Sequence, residues 1–149
     1  MTSISHALIG VSLAATINKP ELLIPVALTT HLLCDCIPHW DLGTSWRLRP
    51  KLITGTLAIL ETLFALSIPF WLFSTNISPL LLAIGIVFSL LPDWLEIPYY
   101  LTLPNAPRPF YYIYKIQSII HSRLKAPWGI YTQIVTVGAF LLIGFWGKI

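Results

Sequence analysis

Hydrophobic residues fill five long stretches of the chain, separated by prolines, polar residues and short basic segments. The stretches cover about residues 3–17, 21–36, 52–73, 80–100 and 127–146. A transmembrane helix needs about 20 apolar residues, so the third stretch can span a bilayer. The first two are shorter and form either short spans or a re-entrant hairpin buried in protein. The pattern predicts an all-α integral membrane bundle of four or five membrane-embedded helices.

Two further features refine this pattern. Pro92 is expected to interrupt the fourth stretch, because proline removes a backbone donor, before the helix resumes toward Tyr100. Residues 108–124 are apolar and aromatic around most of a helical circumference, with Lys115 and Arg123 placed to reach lipid headgroups. This segment is predicted to be an interfacial helix, either an anchor or a lid over a site.

The composition agrees with a membrane protein. Hydrophobic residues make up 56% of the 149 residues and charged residues only 10%, whereas a soluble domain has about 25% charged residues. The length is that of one domain, so residues 1–149 are treated as a single membrane domain. The net charge of +3 comes without a basic stripe on a polar helix, so nucleic acid is not expected as a partner.

The basic residues predict an orientation. Seven of the nine follow the second and fourth stretches, as Arg47, Arg49 and Lys51 and as Arg108, Lys115, Arg123 and Lys125, and none lies between the third and fourth. Lys19 and Lys148 lie elsewhere and count weakly against the orientation. Positive charge accumulates on the cytoplasmic side of membrane proteins. Both basic connections and the N-terminus are therefore predicted to be cytoplasmic.

All four histidines and most of the acidic residues fall at one end of the predicted bundle. They are His6, His31, Asp35, His39, Asp41, Asp93, Glu96 and His121. In a hairpin about Lys19, His6 lies thirteen residues before the turn and His31 twelve after it. At about 1.5 Å per residue, both end at nearly the same height. Gly10 and Ala14 would let these two helices approach closely.

The pair His31 and Asp35 has chelating geometry, because residues four apart share one face of a helix. Pro38 then turns the chain and allows His39 and Asp41 to fold back. Each residue alone has a simpler explanation, such as helix capping. Their joint occurrence in a chain poor in charge favours a site for one or two divalent metal ions.

Imidazole and carboxylate ligands suit zinc, manganese or iron, of which we expect zinc or manganese. The predicted ligands are His6, His31, Asp35 and His39, with Asp93 bridging or completing the shell. Asp41 or Glu96 is predicted to act as general base or hydrogen-bond acceptor. His121 is predicted to act as general acid or to bind a substrate phosphate.

An open site of this kind activates water near neutral pH, and two-metal sites favour phosphate esters. We therefore predict a membrane-embedded metal-dependent hydrolase acting at the cytoplasmic face on a lipid or lipid-linked phosphoester. Two alternatives use the same residues. One is metal or proton transport, which the apolar outer halves of the segments disfavour, and the other is a non-catalytic scaffold with a structural metal site. Membrane lipid is the expected partner, and the oligomeric state stays open.

Five motifs carry a resemblance: SHALIG, THLLCDCIPHWD, SLLPDW, IIHS and WGIYTQ. They resemble a group of uncharacterised small bacterial membrane proteins with an H-x3-D-x2-P-H-x-D motif, and the match covers most of the chain. More distantly, they resemble membrane-bound metal-dependent hydrolases of the LexA-binding inner-membrane type. The resemblance implies a metal-binding, multi-pass protein of the bacterial inner membrane. The matching positions are His6, His31, Asp35, His39, Asp41, Asp93, His121 and Gln133.

Overall fold

The structure, a computed structural model, describes residues 1–44, 48–102 and 105–146. It contains six helices: α1 (Ser3–Thr16), α2 (Pro20–Asp35), α3 (Lys51–Phe73), α4 (Pro79–Thr102), α5 (Arg108–Ile120) and α6 (Trp128–Trp146). No β-strand occurs within these described ranges, so the predicted all-α bundle is confirmed. Arg47, which contributed to the predicted orientation, lies outside the described residues.

Helices α3, α4 and α6 are long and apolar enough to cross a membrane. Helix α1 is apolar but has only 14 residues. These properties indicate a membrane protein. The exposed surface agrees with this, because the three long helices expose large hydrophobic side chains that a bilayer would cover.

Helix α1 is the central element of the bundle. It packs against α4, α6 and α3, and much less against α2. A Cβ placed on Gly10 would collide with the backbone oxygen of Gly85 in α4, and one on Gly85 would lie 3.1 Å from the Ala14 Cβ. The close approach that Gly10 and Ala14 were expected to give α2 is therefore made with α4. Small residues on both helices allow this contact.

Helix α4 continues through Pro92 and Pro98, so the expected interruption at Pro92 does not occur. A proline inside a helix removes one backbone hydrogen bond and disturbs the turn before it. Helix α4 is held at this point by α5, because the Gln117 side-chain amide donates to the Pro92 carbonyl over 2.8 Å. This bond also fixes α5 against α4.

Helix α5 ends at Ile120, four residues before the predicted end, and His121 has extended backbone angles. The chain that follows runs beside the end of α2. Ser122 N donates to Asp35 O over 2.9 Å, His39 N donates to Ser122 O over 3.0 Å, and Leu124 N donates to His39 O over 2.7 Å. These backbone bonds bring His121 to the same end of the bundle as His39.

Candidate metal centre

The first group of candidate ligands is carried by three helices. His6 of α1, His31 of α2 and Asp93 of α4 each offer one ligand atom, and these atoms lie within 4.8 Å of one another. The rings of His6 and His31 stack with centroids 3.9 Å apart and planes 25° from parallel. The sequence prediction that these two histidines reach the same height is confirmed.

The second group combines the end of a helix with two connecting segments. Asp35 of α2, His39 of the following loop and His121 after α5 also bring ligand atoms within 4.8 Å of one another. The Nε2 atoms of His39 and His121 are 2.7 Å apart. Two ring nitrogens at this distance either share a proton or direct their lone pairs toward a common cation.

Asp35 lies between the two groups. Its Oδ1 is 3.1 Å from His6 Nε2 and 3.7 Å from His39 Nε2, and its Oδ2 is 3.4 Å from His31 Nε2 and 3.6 Å from His121 Nδ1. The amine of Met1 also contacts Oδ1. One carboxylate thus faces all four histidines, with each oxygen directed toward a histidine of each group.

Backbone carbonyls fix the tautomers of two of these histidines. His31 Nδ1 is 2.7 Å from the Ser89 carbonyl, and His39 Nδ1 is 2.7 Å from the Ile37 carbonyl. A carbonyl oxygen only accepts, so each Nδ1 carries the proton and donates it. The Nε2 atoms are left with lone pairs directed into the cluster, which is the arrangement of metal-binding histidines in proteins.

Several buried atoms of the cluster have no hydrogen-bond partner. Among the described residues these include His6 Nδ1, His31 Nε2 and Asp35 Oδ2. Water does not replace the missing partners, because each of these three residues is only 1% exposed. Leaving a buried polar atom unpaired costs about 1–3 kcal/mol. A divalent cation would satisfy the lone pairs of His31 and Asp35, so the donor set fits a metal ion. The clusters could hold such an ion by composition and by spacing.

Asp41 contacts the second group without belonging to it. Its Oδ2 is 2.7 Å from His121 Nε2 and accepts from Arg123 Nε over 3.3 Å, and its Oδ1 accepts from the Thr44 hydroxyl over 2.8 Å. Burial would raise the pKa of the Asp41 carboxyl, but the hydrogen bond from His121 and the charge of Arg123 outweigh it and hold the pKa well below its usual range. Asp41 is therefore an ionised acceptor that orients His121.

Gln133 of α6 forms hydrogen bonds both to the start of α1, just before His6, and to the loop that follows His39. Its Oε1 accepts from Thr2 N over 2.9 Å, from Thr2 Oγ1 over 3.0 Å and from Ser5 Oγ over 3.1 Å. Its Nε2 donates to the Trp40 carbonyl over 2.6 Å. The buried amide therefore ties α1 to the loop that bears His39 and Asp41.

Glu96 and Glu61 lie outside both three-residue groups. The Glu96 carboxylate accepts from the Tyr100 hydroxyl over 2.9 Å, and Glu61 accepts from Ser3 N over 2.8 Å. Cys34 is buried and Cys36 exposed, both as free thiols. The structure thus brings together seven of the predicted site residues: His6, His31, Asp35, His39, Asp41, Asp93 and His121. Glu96 lies outside the two ligand groups, and its predicted role as general base or acceptor stays a prediction.

Sequence reasoning missed the carbonyls and amides that support the cluster, such as the Ser89 carbonyl. Backbone acceptors leave no residue-type signal, so no pattern in the sequence points to them. Gln133 had a signal in its motif position, but its partners depend on how α6 meets α1. No protein-family model, curated protein or solved structure matches this chain.

Proposed function

We propose that this protein is a membrane-embedded metal-dependent hydrolase that acts on a phosphoester of a lipid or lipid-linked substrate. The observation that carries the proposal is the position of Asp35, whose two oxygens lie 3.1–3.7 Å from ring nitrogens of all four histidines. A carboxylate between two ligand groups is suited to bridge two cations. Divalent ions about 3.5–4 Å apart are the arrangement that phosphate-ester hydrolysis uses.

Zinc or manganese fits the donors best, because imidazole and carboxylate ligands occur together with no thiolate in either group. When bound, such ions polarise a phosphoryl oxygen and lower the pKa of water. His6, His31 and Asp93 would hold one ion, His39 and His121 the other, and Asp35 would contact both. Structural zinc sites are usually closed by four protein ligands. With Asp35 counted at both positions, the first ion would have four protein ligands and the second only three, which leaves a coordination place for water at the second.

The accessible side of the cluster is formed by Asp93 and His121, whose side chains are 31% and 10% exposed. Next to them, the Arg123 side chain is 38% exposed while its Nε donates to Asp41. A guanidinium at the edge of a site pairs well with phosphate oxygens. We therefore assign Arg123 to the substrate phosphate and Asp41 to the orientation of His121 and Arg123.

The membrane setting supports a lipid substrate. Three helices can span a bilayer, and the distribution of basic residues favours the cytoplasmic face for the cluster. The resemblance to small bacterial membrane proteins and to LexA-binding inner-membrane hydrolases supports the bacterial inner membrane as the location. A site near the headgroup zone could reach the phosphate of a lipid.

The proposal is tested by hydrolysis of phosphatidic acid in mixed micelles by purified protein loaded with manganese or zinc. We expect phosphate release that a chelator removes and added metal restores. His31→Ala should abolish it, whereas Cys36→Ala, at an exposed thiol, should not. A protein that binds metal but hydrolyses no lipid phosphoester in a panel of phosphomonoesters and phosphodiesters would instead have a structural metal site.

A further inference from the structure

An acidic side chain lies inside one of the helices that can cross a membrane, outside both ligand groups. It belongs to Glu61, the eleventh of the 23 residues of α3. Ionisable side chains in such helices are costly and usually face the interior of the bundle. Glu61 is half-buried, and its Oε1 accepts from Ser3 N of α1 over 2.8 Å. This contact indicates a role for Glu61 at the start of α1.

Helix α1 is capped at its start by neighbouring helices. The first N–H groups of a helix have no partner within it, and Thr2, at the N-cap position, makes no side-chain cap hydrogen bond. Thr2 N donates instead to Gln133 Oε1 of α6 over 2.9 Å, and Ser3 N donates to Glu61 of α3. Helices α3 and α6 together hold the first turn of α1.

The hydrophobic contact that continues from the Glu61 bond is made by small side chains. Ala7 and Ala65 lie one turn after Ser3 and Glu61, are 0% exposed and belong to one hydrophobic cluster. Small side chains let two helices approach closely, but they form shallow ridges that resist sliding only weakly. The hydrogen bond from Ser3 N to Glu61 therefore fixes the position of α1 along α3.

The orientation of His6, one turn after Ser3, depends on the position of α1. His31 Nδ1 and His39 Nδ1 each donate to a backbone carbonyl, whereas His6 Nδ1 has no hydrogen-bond partner among the described residues. A metal-binding histidine is usually oriented by a partner at its other ring nitrogen. The His6 ring lacks that partner, so the direction of its Nε2 toward Asp35 follows from where α1 lies.

We infer that Glu61 is a positioning residue for the first metal position. It holds α1 where the ring of His6 faces His31 and Asp35. The inference rests on the proposed function for the presence of a metal ion in this position, and it requires no hydrolysis. Glu61 acts through His6 and is neither a ligand nor a group that touches substrate.

Gln133 offers a comparison within the same protein. Its amide bonds to the start of α1 and also to the Trp40 carbonyl, beside His39, whereas the bond of Glu61 described above is to α1. Loss of the Glu61 acceptor should therefore weaken the first metal position alone. Loss of the Gln133 amide should weaken both positions.

The experiment is a titration of zinc into full-length, metal-free protein in detergent, with one position removed at a time. A His39→Ala background reports the first position, and a His6→Ala background reports the second. In the first background, Glu61→Met, which keeps the side-chain length without an acceptor oxygen, should lower the affinity about tenfold, as for an outer partner of a ligand. Glu61→Gln keeps the acceptor and should restore most of the affinity.

The second background and two further variants separate positioning from a general loss of stability. Glu61→Met should leave the affinity of the second position unchanged, and Gln133→Met should lower both affinities. Glu21→Met is the matched control, because Glu21 is an exposed acid in the first turn of α2, and it should change neither. Equal losses at the two positions in Glu61→Met, or no recovery in Glu61→Gln, would overturn the inference.

A second measurement needs neither metal nor turnover. His6 is 1% exposed and His39 is 0% exposed, so diethyl pyrocarbonate should modify both slowly in the wild-type protein. Glu61→Met should speed the modification of His6 alone, measured by mass spectrometry, and Glu61→Gln should restore the protection. Unchanged protection of His6 in Glu61→Met would contradict the positioning role.

The two proposals can therefore fail separately. Selective loss of the first metal position and of His6 protection, in a protein that hydrolyses no phosphoester, would support the role of Glu61 and contradict the hydrolase. Metal-dependent hydrolysis in a protein whose His6 is unaffected by Glu61→Met would support the hydrolase and contradict the role of Glu61.

Discussion

The two ligand groups on either side of Asp35 are built in different ways. His6, His31 and Asp93 sit on α1, α2 and α4, and the packing of these helices sets their positions. His39 and His121 sit on connecting segments that are tied together by backbone hydrogen bonds between residues 35–39 and 122–124. One group thus depends on helix packing and the other on a short paired stretch of backbone.

This difference identifies the backbone contact on which each ligand group depends. The helical group relies on the contact of Gly10 with Gly85. Gly10 lies about one turn after His6 in α1, and Gly85 lies about one turn before Ser89, whose carbonyl accepts from His31. The other group relies on Gly129, because a Cβ there would lie 2.6 Å from Trp40 N and 2.9 Å from the His39 carbonyl carbon. Asp35 belongs to both halves, so a change at Asp35 should not discriminate between them.

The largest effect is expected for Asp35→Asn, which removes the shared charge and one of the two ligand oxygens. We expect both ions to be lost, with a fall in affinity greater than the roughly 10–100-fold typical of changes to an outer hydrogen-bond partner. Metal content of the purified protein measures this result. Asp93→Asn is the control, because it should weaken the first ion alone, and retention of both ions in Asp35→Asn would contradict the shared role.

An intermediate effect is expected for Gly10→Ala. The added methyl would collide with the Gly85 backbone and lie 2.7 Å from Ser89 Oγ, so α1 and α4 must move apart. Overpacking of this kind costs about 1–3 kcal/mol of unfolding free energy. The ion at His6, His31 and Asp93 should be weakened and the second ion kept.

Thermal unfolding in detergent and metal content measure the two consequences of Gly10→Ala. Gly55→Ala supplies the control, because a Cβ at Gly55 meets nothing within 4 Å. Equal loss of both ions in Gly10→Ala would show that the two groups do not respond separately.

The smallest effect is expected for Gly129→Ala, which pushes the His39–Trp40 backbone away from the start of α6. The hydrogen bond from Trp40 N to Gly129 O, 3.2 Å long, should weaken. We expect a loss of about tenfold in affinity at His39 and His121, as for an outer partner, and no change at the helical group. Titration of metal into the two variants Gly129→Ala and Gly138→Ala measures the difference. Gly138→Ala is the control, because a Cβ at Gly138 in α6 meets nothing within 4 Å, and equal affinities in the two variants would refute the role given to Gly129.

Much of the helical group could be predicted from the sequence. The spacing of His31 and Asp35 follows from helical geometry, and the nearly equal distances of His6 and His31 from Lys19 predicted the two rings at one height. Both depend on local structure alone, which is regular. Apart from the end of α5, the predicted helix ends were also close to those observed, because prolines and polar residues mark them.

The other half could not be predicted in this way. The end of α5 at Ile120 and the pairing of Ser122 with Asp35 and His39 are set by tertiary backbone contacts, which leave no periodic pattern. Helix partners were also hidden, because α1 is apolar on most faces and Gly10 fits α2 or α4 equally well in sequence terms. The role of Asp35 as the shared carboxylate emerges only when both halves are in place.

The central claim is that Asp35 joins two metal positions. Anomalous diffraction at the metal edge, from crystals of zinc- or manganese-loaded protein, tests it most directly. We expect two peaks about 3.5–4 Å apart, one beside His6, His31 and Asp93 and one beside His39 and His121, with Asp35 in contact with both. No peak in the cluster, or a single peak that Asp35 does not contact, would contradict the claim.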